Sequence, residues 1–253
     1  MNAAEFGYDL TGKVALVTGS SRGIGKAIAL GLAKCGASVA IHYVGHQEEA
    51  DAVALQIPKS CTVRCDLLVD DAPRKILSEV ESKLGPVDIL VLNASMQFRQ
   101  DWDQVTREKF EQQVIANFRS EFEMIQLAAK HMIQQKWGRI LTIGSVQQHR
   151  PHSAMIPYAA TKSALETMVR ALAKEFAPHN VTINNLAPGV ILTDRNTDAL
   201  SNEAYRQKVM SMIPLGRGGE ADECVPPALM LCSDAGSYIT GIDLVVDGGM
   251  RLP

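Results

Sequence analysis

The sequence has no excess of basic charge. Its formal net charge is -3, with 21% charged and 46% apolar residues, so the electrostatic footprint of a nucleic-acid binder is missing and an ordinary globular composition remains. No run of 18 apolar residues occurs, which removes a membrane-spanning helix from consideration. The five cysteines, Cys35, Cys61, Cys65, Cys224 and Cys232, are odd in number and scattered, and the chain opens without a charged and apolar secretory leader. A reducing, cytoplasmic setting is therefore expected. Cys61 and Cys65 share a strand face, but with no nearby histidine or second cysteine pair they make a poor zinc site. No metal is expected, and all five cysteines are read as small core residues. There is also no repeat, no low-complexity linker and no shift of composition. The 253 residues are read as one α/β domain spanning 1–253.

What the chain does contain is an alternation of short apolar runs with amphipathic stretches. Strands are expected over residues 13–19, 38–44, 61–65, 87–92, 137–143, 180–186 and 242–246. Helices are expected over 24–32, 47–56, 70–84, a long proline-free stretch 106–135, a segment from Tyr158 to Phe176, and 222–232. This rhythm predicts a seven-stranded parallel sheet, doubly wound, with helices on both faces. A cofactor half would span about 10–145, and catalytic and substrate elements about 145–253.

Between the first strand and the first helix the chain reads Thr18-Gly19-Ser20-Ser21-Arg22-Gly23-Ile24-Gly25. Gly19 permits a positive φ at the turn, while Gly23 and Gly25 let the backbone approach a pyrophosphate at the positive end of the helix. The second strand ends in His42-Tyr43-Val44-Gly45-His46, with no acid to bind an adenosine ribose and repel a further phosphate. With Arg22 in the turn, this favours NADP(H), leaving NAD(H) possible. Ser145 follows the fifth strand, at the carboxyl end where ligands of open parallel sheets bind. Tyr158 and Lys162 are four residues apart, on one helix face, where a cation favours phenolate over phenol. Taken alone, the same pair equally fits an exposed helix surface. The polar stretch 191–205, in a region of about 191–210, reads as a mobile lid.

Together these residues resemble the short-chain dehydrogenase/reductase family, in its classical branch. The resemblance rests on the turn from Thr18 to Gly25, Asp66-Leu67, Asn93-Ala94, Ser145 thirteen residues before Tyr158, the Tyr-x-x-x-Lys motif, and Pro188-Gly189 followed by Thr193. It implies a Rossmann-like fold and hydride transfer between a nicotinamide cofactor and a small carbonyl or secondary alcohol. Tyr158 would exchange the proton, Ser145 would hold the substrate oxygen, Lys162 would tune the tyrosine and bind the nicotinamide ribose, and Asn117 would hold a water. Gly19, Ser21, Arg22, Gly23, Ile24, Gly25 and Tyr43 would meet the phosphates and the adenosine end. Asp66, Leu67, Asn93 and Ala94 would surround the adenosine, and Pro188, Gly189, Ile191 and Thr193 the nicotinamide. The family's usual assembly is a homotetramer.

Ser95 stands where the family usually has glycine. Two alternatives accompany this reading. A 3-oxoacyl-thioester reductase would share Gly144-Ser145-Val146 and the stretch from Asn184 to Gly189, with Lys130 and Lys174 as a basic face for an acyl carrier protein. A sensor or scaffold that binds NADP without turnover is the other. The intact set of Asn117, Ser145, Tyr158 and Lys162 argues against it. His149, Arg150 and His152 could contact an anion, although solvation in a surface loop is the simpler role.

Overall fold

The computed structural model describes residues 6–253. Seven strands, β1 (Val14–Val17), β2 (Ser38–Tyr43), β3 (Ser60–Arg64), β4 (Ile89–Leu92), β5 (Gly138–Ile143), β6 (Val181–Pro188) and β7 (Asp243–Val246), form one sheet in the order β3-β2-β1-β4-β5-β6-β7. Every neighbouring pair is parallel. All seven strands expected from the sequence are present. The order reverses between β1 and β4, and the carboxyl ends on either side of that switch point open a crevice.

Alternation along the strands explains the double winding, because successive side chains leave opposite faces. Leu16, Ala40, Leu90 and Ile140 pack toward one layer of helices. Val17, Ile41, Val91 and Leu141 pack toward the other. The first layer holds α3 (Ala72–Leu84), α5 (Ser120–Gln135) and α6 (Ile156–Phe176), and the second holds α1 (Gly23–Lys34), α2 (Gln47–Ala54) and α9 (Val225–Leu231). Between α3 and α5 the chain forms α4 (Arg107–Val114). Cys224 and Cys232 are buried, and burial pushes both thiols up to about 12, while Cys35, Cys61 and Cys65 are half-buried against the two cores.

Three helical expectations are refined. The long stretch 106–135 is α4, then a π turn at Ile115–Arg119, then α5. Lack of proline keeps it unbroken, but an inserted π turn leaves no sequence mark comparable to proline. The helix expected over 222–232 begins as a 3-10 turn, Ala221–Cys224, and becomes α-helical at α9, where Pro226 and Pro227 occupy a first turn that needs no backbone donors. The region read as a lid contains two short helices, α7 (Asp194–Leu200) and α8 (Glu203–Ser211). Among the described residues no helix is long and apolar enough to cross a membrane.

Candidate active site

The glycine turn after β1 has the geometry of an anion cradle. Gly19 and Gly23 have φ of 63° and 59°, a region that L side chains avoid. A Cβ on Gly23 would meet only the Thr193 side chain, so the backbone there faces open space. The first turn of α1 carries no acidic residue and its N-terminus has no side-chain cap. Its free N–H groups and the positive end of the helix dipole suit a pyrophosphate. Gly25 does a different job: a Cβ there would lie 2.5 Å from Asn93 Nδ2 and from the Gly19 carbonyl oxygen.

Two braces hold this turn. Thr18 Oγ1 accepts from the N–H groups of Asn93 (2.9 Å) and Ala94 (3.0 Å), and Asn93 Nδ2 donates to the carbonyls of Thr18 (2.9 Å) and Gly19 (3.0 Å). The second brace is His42, which sequence reasoning passed over. Its Nδ1 accepts from the Gly19 N–H at 3.1 Å, so Nε2 carries the proton and donates to the Cys65 carbonyl at 2.8 Å. Burial pushes the ring down to about 4, against the opposing pull of the Cys65 carbonyl and Asp66. His42 is a neutral spacer between β1, β2 and β3.

A cavity of about 530 Å³ runs from this turn across the carboxyl ends of the sheet. Gly19, Ser21, Arg22, Gly23, Ile24 and Tyr43 line one end, with Asp66, Leu67, Asn93 and Ala94 beside them. Ser145, Tyr158, Pro188, Gly189, Ile191 and Thr193 line the rest. Gly25, Asn117 and Lys162 lie behind the wall. Arg22 is paired with Asp194 at 3.9 Å, both exposed, so its charge is loosely held at the cavity edge. Ser95 also lines the cavity.

The proton-transfer candidates come from three elements. Ser145 follows β5 and caps the next turn, and its Oγ accepts from the Gln147 N–H at 3.2 Å. Tyr158 lies on α6, 6% exposed, and Lys162 one turn on is 1% exposed with its Nζ 5.8 Å from the centre of the Tyr158 ring. That ammonium group donates to the Ile143 carbonyl at 2.7 Å. Asn117 occupies the π turn, where its Oδ1 accepts from the Met96 N–H (2.7 Å) and its Nδ2 donates to the Met96 carbonyl (2.8 Å) and Thr161 Oγ1 (3.3 Å). Asn117 thus fixes the segment after β4 against α6. Glu121, one turn further on, is buried beside Lys162, and sequence reasoning gave no hint of it.

At the far end of the cavity, Arg99 donates to Tyr205 Oη at 3.1 Å, joining the segment after β4 to α8. His152 also lines this end; burial and the nearby Arg99 and Lys208 charges hold its ring below the usual histidine range. His149 and Arg150 are engaged elsewhere, with Asp243 and with the Met250 carbonyl. His149, Glu166 and Asp243 bring one ligand atom each within 4.8 Å of one another. Those atoms are already spent on His149–Asp243, Gln148–Glu166 and Arg170–Glu166 contacts.

A glycine cradle, a carboxyl-end crevice and a buried Tyr–Lys pair define a dinucleotide-dependent oxidoreductase site. Sequence and structure comparisons agree. The family profile described as enoyl-(acyl carrier protein) reductase matches residues 19–251. The L-rhamnose 1-dehydrogenase (NADP(+)) of Thermoplasma acidophilum is 39% identical over 249 residues, covering 96% of this chain and 98% of that protein. The 3-oxoacyl-[acyl-carrier-protein] reductase FabG of Aquifex aeolicus is 39% identical over 246 residues, covering 95% and 98%. The structure of a gluconate 5-dehydrogenase from Burkholderia cenocepacia in complex with NADP and tartrate superposes with a TM-score of 0.91 at 32% identity, covering 99% of both chains. The chain belongs to the short-chain dehydrogenase/reductase family. It is an NAD(P)-dependent oxidoreductase that interconverts carbonyl and alcohol groups.

Proposed function

We propose that Tyr158 is the proton donor and acceptor of this oxidoreductase, that Ser145 holds the substrate oxygen, and that Lys162 stabilises the phenolate. The observation that carries this reading is the joint placement of Tyr158 and Ser145 on the wall of the cavity that contains the glycine turn, with the Lys162 ammonium group buried behind the tyrosine. The cofactor supplies or accepts the hydride. The protein's share is to orient the substrate oxygen, exclude water and move one proton at the tyrosine oxygen. Asn117 acts through the segment it fixes. Replacing Tyr158 by Phe abolishes turnover while NADPH affinity, read by fluorescence titration, stays within a few-fold; sustained turnover by that variant would remove the role.

NADP(H) is the preferred cofactor. Tyr43, Val44, Gly45 and His46 form the cavity wall at the end of β2, with no carboxylate among them, and Arg22 stands nearby. A phosphate on the ribose meets positive charge there and no repulsion. The relatives named above whose names mention a cofactor are NADP-dependent or NADP-bound.

The substrate is a small polar alcohol or ketone, of the sugar or hydroxy-acid kind. Its end of the cavity presents Gln97, Gln147, His152, Tyr205 and Arg99, and among the described residues no carboxylate pairs with Arg99. Relatives that act on rhamnose or gluconate support this choice. Similarity to 3-oxoacyl-thioester reductases supports the second reading. A screen of sugars, aldonates and acetoacetyl thioesters with both cofactors decides between them, and preference for the thioester would replace the first. The protein assembles as a homotetramer in the cytoplasm. Exposed Phe110 and Phe122 on α4 and α5 support assembly, and five free thiols support a reducing compartment. Light scattering that gives a monomer mass would refute the assembly.

A further inference from the structure

Glu121 lies one helical turn beyond Asn117 and is 2% exposed. Both carboxyl oxygens are shut off from solvent, and among the described residues neither has a hydrogen-bond partner. The nearest cation, Lys162 Nζ, stands 3.8 Å from Oε1, just outside hydrogen-bond reach, because it donates to the Ile143 carbonyl. Such groups are normally satisfied, so an orphaned pair of oxygens beside the reactive lysine calls for a functional account. None of the motifs that define the site includes this position.

We propose, on the reading that Tyr158 and Lys162 form the proton-transfer pair, that Glu121 is a positioning residue which holds the lysine from its buried side and, when ionised, offsets the charge that Tyr158 feels. The surroundings isolate this effect. The π turn, α3, β4, β5, β6 and the 3-10 turn Ala177–His179 pack on α5, Lys162 reaches in from α6, and among the described residues Lys162 is the one charged group that acts on the carboxyl. Arg119, at the end of the π turn, and Glu123 on α5 pair with each other and are half-exposed. Burial pushes the Glu121 carboxyl up to about 8, and Lys162 opposes that rise. Glu121 therefore keeps its proton well above the usual carboxylate range.

The sign follows from the charges. While Glu121 is protonated, Lys162 acts on Tyr158 at full strength and favours phenolate. Once the carboxylate forms, Lys162 and Glu121 together are neutral, and Tyr158 keeps its proton to higher pH. An uncharged side chain at this position makes the first state permanent.

The test reads the tyrosine directly. Tyrosinate ultraviolet absorbance is titrated in the full-length protein, and the Tyr158 contribution is taken as the difference between each background and the same background carrying Tyr158→Phe. In Glu121→Gln, tyrosinate forms at a pH lower by about one unit, the lower end of the range for a neighbouring charge. Glu121→Asp, which keeps the charge, titrates close to the parent. Should Glu121→Gln fail to give the circular dichroism spectrum of the parent, Glu121→Met serves as the uncharged variant with the same expected shift. Coincident Tyr158 titrations in the parent and the folded uncharged variant overturn the proposal. So does an Asp variant that moves as far as the uncharged one. Turnover sustained by Tyr158→Phe would instead sink the parent reading, whatever Glu121 does.

Discussion

Acid should weaken this fold through one identifiable group, His42. The ring is fully buried and held neutral by two hydrogen bonds, accepting at Nδ1 from Gly19 and donating from Nε2 to Cys65. Its proton affinity falls from the ordinary 6.5 to about 4 because burial disfavours the cation. Between those two values the unfolded chain binds a proton that the folded chain refuses, so stability falls as pH drops from 6.5 toward 4. At about 1.4 kcal/mol per unit, the full difference is about 3 kcal/mol, a large part of a typical stability of about 5–15 kcal/mol. His42→Asn isolates the effect, since its carbonyl oxygen can still accept from the Gly19 N–H but does not titrate. The variant starts lower at pH 7, by about 1–3 kcal/mol, because the Cys65 carbonyl loses its donor. Urea unfolding at pH 7, 6, 5 and 4.5 then reads the slope. The parent loses about 2–3 kcal/mol more than the variant over that range. Parallel pH dependences would show that His42 does not carry the acid sensitivity, and the reasoning would fail.

Two further outcomes follow from the cofactor end of the cavity. Gly25→Ala places a methyl group against Asn93 Nδ2 and the Gly19 carbonyl, so NADPH affinity falls at least about tenfold, or about 1.4 kcal/mol, while far-ultraviolet circular dichroism stays that of the parent; unchanged affinity would mean that the turn relaxes freely. Val44→Asp places a carboxylate at the end of β2, lowering the NADPH-to-NADH affinity ratio by about tenfold or more. A ratio that does not change would show that the ribose phosphate binds elsewhere.

The strands and many of the residues that line the cavity are legible in the sequence, and the reason is local. An apolar run bounded by glycine, or a glycine pattern between a strand and a helix, is a property of a few consecutive residues. Gly19, Gly23, Ser145 and Tyr158 all reach the cavity as expected. The π turn at Ile115–Arg119 was not legible, because a change from i→i-4 to i→i-5 hydrogen bonding leaves composition untouched. Lys162 was placed on the right helix face, yet its bond to the Ile143 carbonyl depends on how α6 packs on β5. Arg99 and Tyr205 meet across 106 residues, a contact that follows from the docking of α8 over the cavity and from nothing in either segment.

His42 and Glu121 show why buried groups around the site stay hidden. Strand alternation puts His42 on the face of Ala40, and helical spacing puts Glu121 one turn from Asn117. Neither rule names a partner. His42 acts because Gly19 and Cys65, each 23 residues away in opposite directions, deliver an N–H and a carbonyl to the two ring nitrogens. Glu121 stands out because α6 brings Lys162 to 3.8 Å from a carboxyl group that no other described residue satisfies. Both groups are buried where their charged forms are costly, so each converts the geometry of the sheet into a sensitivity to pH. His42 is the group through which acid is expected to weaken the turn after β1. On the proposal made for Glu121, a second buried group sets the charge behind the tyrosine, so burial at each end of one cavity makes it sensitive to pH.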